Sequence, residues 1–273
     1  MIKREMRSAK HRIIRPGGAA FFLVAVFMIN CLNASSAYAL LSIKANHEDI
    51  SIGFFYHGST VSFSGEADDG TDLVIKIALP DGHQVMKKKG KVGGLLWMNV
   101  GTVKFEQTPN FYHIHSTKAL DEILEVEEQN KYVIGYSALR KHTEVLPVEN
   151  DAEKAHWFDE FLKYQENQNL YAISVGKINT NRRGDGIPEY NIMTDWPYQA
   201  APGKYAVTVY AVKDKKIVDQ ATAEISVEQA GIVKTLSTMA KNRAALYGIL
   251  SIGIALAAGF GVGMLFRKGG DSH

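Results

Sequence analysis

Cysteine is almost missing from this chain: 273 residues hold one, Cys31, and it lies in an apolar run near the N-terminus. The remainder has no thiol, which excludes disulfide staples, thiol nucleophiles and zinc–thiolate centres. An exported domain of about 200 residues must then rest on its apolar core, and that length can bury one. Basic excess is missing too. Six basic and one acidic residue precede Leu40, and two basic and one acidic follow Phe266. The 31 basic and 29 acidic residues of the whole chain therefore leave 23 and 27 between them. The apparent basicity belongs to the N-terminus, so nothing points to nucleic acid. No Ser/His/Asp constellation, phosphate-cradling loop or carboxylate pair is marked by spacing, so no catalytic reading is supported. Repeats and low-complexity tracts are absent.

Charge is wholly missing from one stretch, Ala244 to Phe266, and the chain is organised around it. As a helix at ~1.5 Å per residue it is about 34 Å long, enough for a ~30 Å hydrocarbon core. Lys241 and Arg243 stand before it and Arg267 and Lys268 follow, as collars of a membrane span do. Within it Ser251, Ala255, Gly259 and Gly263 recur every four residues, a small-residue ladder on one helical face suited to close helix packing.

The N-terminus supplies an export route. Lys3, Arg4, Arg7, Lys10, Arg12 and Arg15 precede the apolar run Ala19 to Leu32, and Ala37-Tyr38-Ala39 is a small-x-small site. Together these read as a signal peptide cleaved after Ala39. Asn30 before Cys31 does not suit lipoprotein processing. The expected organisation is a signal peptide (1–39), a periplasmic domain (40–230), a stalk (231–243), a transmembrane helix (244–266) and a cytoplasmic tail (267–273). The location that follows is the bacterial inner membrane, single-pass, with the domain in the periplasm.

The domain reads as mainly β. Ile50-Ser51-Ile52, Val61-Ser62-Phe63, Leu73 to Ile77, Leu95 to Phe105 and Phe111 to Ser116 are strand-like, and Pro80-Asp81-Gly82 predicts a turn that pairs Gln84 to Lys89 back as a hairpin. Ala119 to Glu128 and Asp151 to Tyr171 have helical spacing, so a helical insertion is placed at about 117–175. Asn179 to Gly186 reads as a surface loop, with Arg183-Gly184-Asp185 a chance turn. The alternation from Gly203 to Tyr210, the Asp214-Lys215-Lys216 turn and the return strand to Val227 close an immunoglobulin-like β-sandwich of seven or eight strands.

Candidate site residues are few. His113 and His115 leave the same face of a strand, as metal ligands could, although no third ligand is marked and surface or edge histidines are the ordinary account. Lys87, Lys88, Lys89 and Lys91 could meet an anionic ligand or lipid headgroups, or protect a solvated edge strand from pairing. Trp97 is expected in the core, and Asn99 on the same face is a candidate for a buried polar or ligand contact. No cofactor is implied.

Gly93-Gly94-Leu95-Leu96-Trp97-Met98-Asn99, Pro109-Asn110-Phe111-Tyr112, Ser116-Thr117, Pro202-Gly203-Lys204-Tyr205 and Leu246-Tyr247-Gly248 together resemble a family of alphaproteobacterial transmembrane proteins of about this length and of uncharacterised function. The segment Asn179 to Tyr198 departs from that pattern by its length and polarity. Such proteins are encoded near permeases of the sulfite/organosulfonate exporter type, so the resemblance implies a non-enzymatic accessory or interaction subunit in the membrane. Its partners would be the bilayer and a membrane protein, or a second copy through the span. The alternative is a tethered periplasmic receptor or enzyme for a small anionic or metal-linked ligand.

Overall fold

The computed structural model describes residues 41–181 and 188–267, with side chains through Met264. The expected leader with Cys31, the Arg183-Gly184-Asp185 tripeptide and the tail beyond Arg267 lie outside the described residues.

Thirteen strands are described in three sheets. The first sheet runs β1 (Lys44–Ala45), β3 (Ser59–Glu66), β11 (Glu189–Trp196), β10 (Asn179–Asn181), all antiparallel. The second runs β2 (Asp49–Ile52), β13 (Lys216–Gln229), β12 (Gly203–Lys213), β4 (Asp72–Ala78), β7 (Tyr112–Ser116), β9 (Tyr171–Val175). In strand letters these orders are A-B-E-D and G-F-C-C′ with additions at both edges, which is the immunoglobulin-like arrangement. Tyr205 stands near the start of β12, and its hydroxyl donates to the Ala201 carbonyl at 2.6 Å, the corner bond typical of such domains.

Parity explains the layers. Along β4, Leu73, Ile75 and Ile77 face the first sheet and join Phe63, Ile192, Trp196, Tyr205 and Val207 in one core. Val74 and Ala78 face the other way and join Tyr112, Ile114, Phe158 and Phe161 in a second. A strand buried on both faces reads as an unbroken apolar run, as Leu73-Val74-Ile75 does. The second core is covered by the helices between β7 and β9: α1 (Leu120–Ile123), α2 (Val126–Tyr132), α3 (Tyr136–His142) and α4 (Asp151–Asn167). This crossover makes β9 parallel to β7, since helices carry the chain back before it rejoins the sheet. Lys76 also faces this side, and its ammonium donates to the Tyr132 carbonyl at 2.7 Å, capping the end of α2. Asn150 caps α4 by accepting from the Ala152 and Glu153 amides.

The third sheet is the long hairpin β5 (Asp81–Val92) and β6 (Leu96–Pro109), with β8 (Glu144–Leu146) on its inner edge. This corrects the expected pairing. Gln84 to Lys89 pairs with β6, and the tight turn is Gly93-Gly94, with φ of 63° and 75°, a region open to glycine at little cost. Trp97 is therefore outside the core, 66% exposed on the outer half of β6. The stretch 119–128 is two helices, because Leu124 is extended (φ −129°, ψ 135°), and α4 ends at Asn167 before β9. Part of the expected loop is β10, and β11 was missed.

Two helices follow the sandwich, α5 (Gly231–Asn242) and α6 (Ala244–Arg267). Within α6, Ala244–Met264 is long and apolar enough to cross a membrane, and none of its window is buried.

Candidate functional site

Between the two sheets, beside β7 and β9, a cleft of about 500 Å³ opens. β7 contributes His113 and His115, which alternate with Tyr112 and Ile114 of the second core and so face the first sheet. Ala172 and Ser174 come from β9, with Lys177 just beyond it, while Ser59 and Thr60 come from β3 and Thr194 to Trp196 from β11. Pro197, Tyr198 and Gln199 complete the rim.

The histidines are not surface residues: His113 is 6% and His115 3% exposed, which corrects the ordinary expectation. The reason is parity. Registers of His113 with Ile77 and His115 with Ile75 put both rings on the inner face of the sheet. His113 packs on Phe111 at 4.1 Å between ring centroids, and the two imidazoles lie 6.1 Å apart, edge to face. His113 Nε2 is 3.0 Å from the Asn169 carbonyl oxygen, which can only accept. In the neutral ring Nε2 thus carries the proton and Nδ1 is a bare lone pair. That Nδ1, both nitrogens of His115, Trp196 Nε1 and Gln199 Oε1 have no hydrogen-bond partner among the described residues. Unmatched buried polar atoms cost about 1–3 kcal/mol each, so the cluster is destabilising unless something external meets it.

Both imidazoles are held neutral. Burial pushes His113 down to about 4, against a partial upward pull from the Asn169 carbonyl and with a further downward push from Lys177. Burial does the same for His115, helped by His113 and Lys177. Neutral imidazole can accept and donate at once, and it is also the metal-ligating form. Among the described residues no group of three or more His, Cys, Asp or Glu could hold a metal, so the pair is without a third protein ligand. The cleft also offers the Lys177 ammonium and several hydroxyls, so its chemistry suits a small polar molecule with oxygen acceptors and hydrogen-bond donors.

The other expected site residues are elsewhere. Lys87, Lys88, Lys89 and Lys91 lie on β5, the outer edge of the third sheet, and Asn99 is exposed opposite Lys89. Lys88 pairs with Glu153 at 3.6 Å and sits over the Trp157 ring. Ser251 faces its own helix, its hydroxyl donating to the Tyr247 carbonyl at 2.8 Å. Ala255, Gly259 and Gly263 floor a shallow groove on α6, walled by Leu256, Phe260 and Met264. Sequence reading missed Trp196, Lys177 and Gln199. The signal for Trp196 was present in the alternation Tyr190, Ile192, Thr194, Trp196.

These features define a class: an immunoglobulin-like sandwich with two insertions, joined through a short helix to one apolar helix of membrane-spanning length. The chain belongs to the family described as "Putative transmembrane protein (Alph_Pro_TM)", whose model matches residues 40–268. Comparison with curated proteins finds no match. Among solved structures, the chain is similar to domain 1 of VCBP3 from Branchiostoma floridae at 11% identity, over 70% of this chain and 96% of that one, with a TM-score of 0.23. At that score the likeness adds nothing to the strand order, which carries the fold assignment.

Proposed function

We propose that this protein is a single-pass, membrane-anchored receptor module, its sandwich on the periplasmic side of a bacterial inner membrane. It binds a small polar ligand in the cleft beside β7 and acts without catalysis. The observation that carries this reading is the pair of deeply buried imidazoles, of whose four nitrogens three lack a hydrogen-bond partner among the described residues. A ligand that supplies those partners converts a standing cost into affinity. The reading favours a ligand with oxygen acceptors for Lys177 and donors for the imidazole lone pairs.

The test is a thermal-shift screen of the full chain in detergent against sulfur oxyanions, phosphate, carboxylates, neutral polyols and divalent metals. Binding at a hundredfold excess over Kd stabilises by about 2.7 kcal/mol, a shift of roughly 5–10 °C for a domain of this size. One ligand class should raise Tm in the wild type and fail to do so in His115→Gln. A flat response across the panel would sink the reading.

A second reading, an accessory subunit for a membrane protein, is favoured by the groove along α6. The two are compatible, because a receptor tethered by a packing helix can present its ligand to the protein that helix contacts.

A further inference from the structure

The sandwich has two ends, and the segments with the most exposed apolar side chains leave from one of them. Registers fix which end. Ala78, Ala206 and Glu224 are level across β4, β12 and β13, and β13 continues for five residues to Gln229 before α5 begins. The stalk therefore leaves from the end at which β4 finishes. The hairpin β5–β6 springs from that same end, since β5 opens three residues after Ala78. β2 runs parallel to β13, with Ile52 opposite Gln229, and the Ala230 amide donates to the Ile52 carbonyl at 2.9 Å. The loop after Ile52 is thus beside the start of the stalk.

What these segments display is apolar. Phe54 and Phe55 follow Ile52, and Phe55 is 82% exposed. The hairpin tip carries Leu95, 87% exposed, with Leu96, Trp97 and Met98 also exposed. Lys88 is the outermost β5 residue seen in contact with the helices, through Glu153 and Trp157, and the five residues from Lys89 to the Gly93 turn at ~3.4 Å each extend the hairpin about 17 Å. The 12 residues of α5 are about 18 Å long, a similar reach, and its Ile232 and Leu236 are exposed as well. Lys87, Lys89 and Lys91 lie behind the tip, with the Lys91 ammonium 5.4 Å from the Trp97 ring centre. An apolar tip, an indole and a collar of lysines are the layers of a bilayer surface taken in order: acyl chains, interface, anionic headgroups.

We infer that the stalk end of the sandwich rests on the membrane surface, with Phe54–Phe55 and the hairpin tip seated in the lipid and the β5 lysines on anionic headgroups. The domain is then held at several points, and its cleft is kept at a fixed height and orientation over the bilayer. The inference does not depend on any ligand for that cleft.

Site-directed spin labelling of the full chain in nanodiscs tests it. Cys31→Ser removes the native thiol, and Phe55→Cys, Leu96→Cys and Val218→Cys each give one label; Val218 is exposed near the opposite end of β13. In discs containing phosphatidylglycerol, labels at 55 and 96 should be relaxed by oxygen and shielded from a water-soluble nickel complex. The label at 218 should show the reverse. Lys89→Glu with Lys91→Glu should return label 96 toward water. An aqueous signature at either 55 or 96 overturns the inference. A label at 96 that is aqueous in nanodiscs, with Leu96 crosslinking to a protein in native membranes, would overturn it in favour of a protein partner.

Discussion

His115 is the residue on which the cleft turns, and its burial has a consequence for acid stability. Its pKa falls from an ordinary 6.5 to about 4 in the fold because burial disfavours the cation, and His113 falls likewise. Between pH 6.5 and about 4 the unfolded chain therefore binds more protons than the folded one. Stability is fully present above 6.5, declines as pH falls through this window, and levels off below 4, where both states are protonated. A shift of this size corresponds to at most about 3 kcal/mol for each ring. Urea unfolding of the detergent-solubilised chain at pH 7.5 and 4.5 should show that loss. His115→Gln, which cannot titrate, should lose less on acidification; an identical loss would place the acid sensitivity on other groups. The sequence spacing tells that His113 and His115 share a face, but not which face. Only the pairing of β7 with β4 decides between solvent and core. Trp97 failed in the opposite direction, because an aromatic in a strand pattern is expected inside and nothing local marks a hairpin that outruns its support.

At the scale of elements, legibility followed locality. The closing hairpin β12–β13 was readable because Asp214 and Lys215, both at positive φ, turn the chain between two alternating strands. Pro80-Asp81-Gly82 misled because its residues have turn chemistry, yet they form the base of β5 and not the tip. β11 was hidden by its polar outward residues Glu189, Asn191 and Asp195, although every inward one is buried. The span makes its own prediction. If the face bearing Ser251, Ala255, Gly259 and Gly263 packs against a partner helix, Gly259→Ile fills the groove and separates the helices. Interhelical contacts in membranes are worth ~1–2 kcal/mol, and ~1.4 kcal/mol is tenfold in association. A membrane two-hybrid signal should fall about that much. Leu250→Ile, on the far side of the helix, should leave it unchanged; an undiminished signal for Gly259→Ile would make the ladder compositional.

For the whole molecule the prediction concerns direction. The collars around α6 are balanced, Lys241 and Arg243 against Arg267 and Lys268, so the positive-inside bias is weak. The proposed orientation follows from the leader-like N-terminus. A reporter active only in the cytoplasm, fused after His273, should be active, while the same reporter inserted at the exposed Asp214-Lys215 turn should be silent. The reverse pattern would put the sandwich in the cytoplasm.

β4 also has a role beyond positioning either core. Val74 and Ile75 are neighbours in the chain, yet one belongs to the helical side and the other to the sandwich. The strand is a party wall: neither room can be gutted while the other stands, because each supplies the backing that keeps the wall straight. The helical insertion is thus an addition by sequence position only. The shared strand couples it to the sandwich, so slackening of the helices under heat or a poor substitution is expected to reach His115, on the far side of the same sheet.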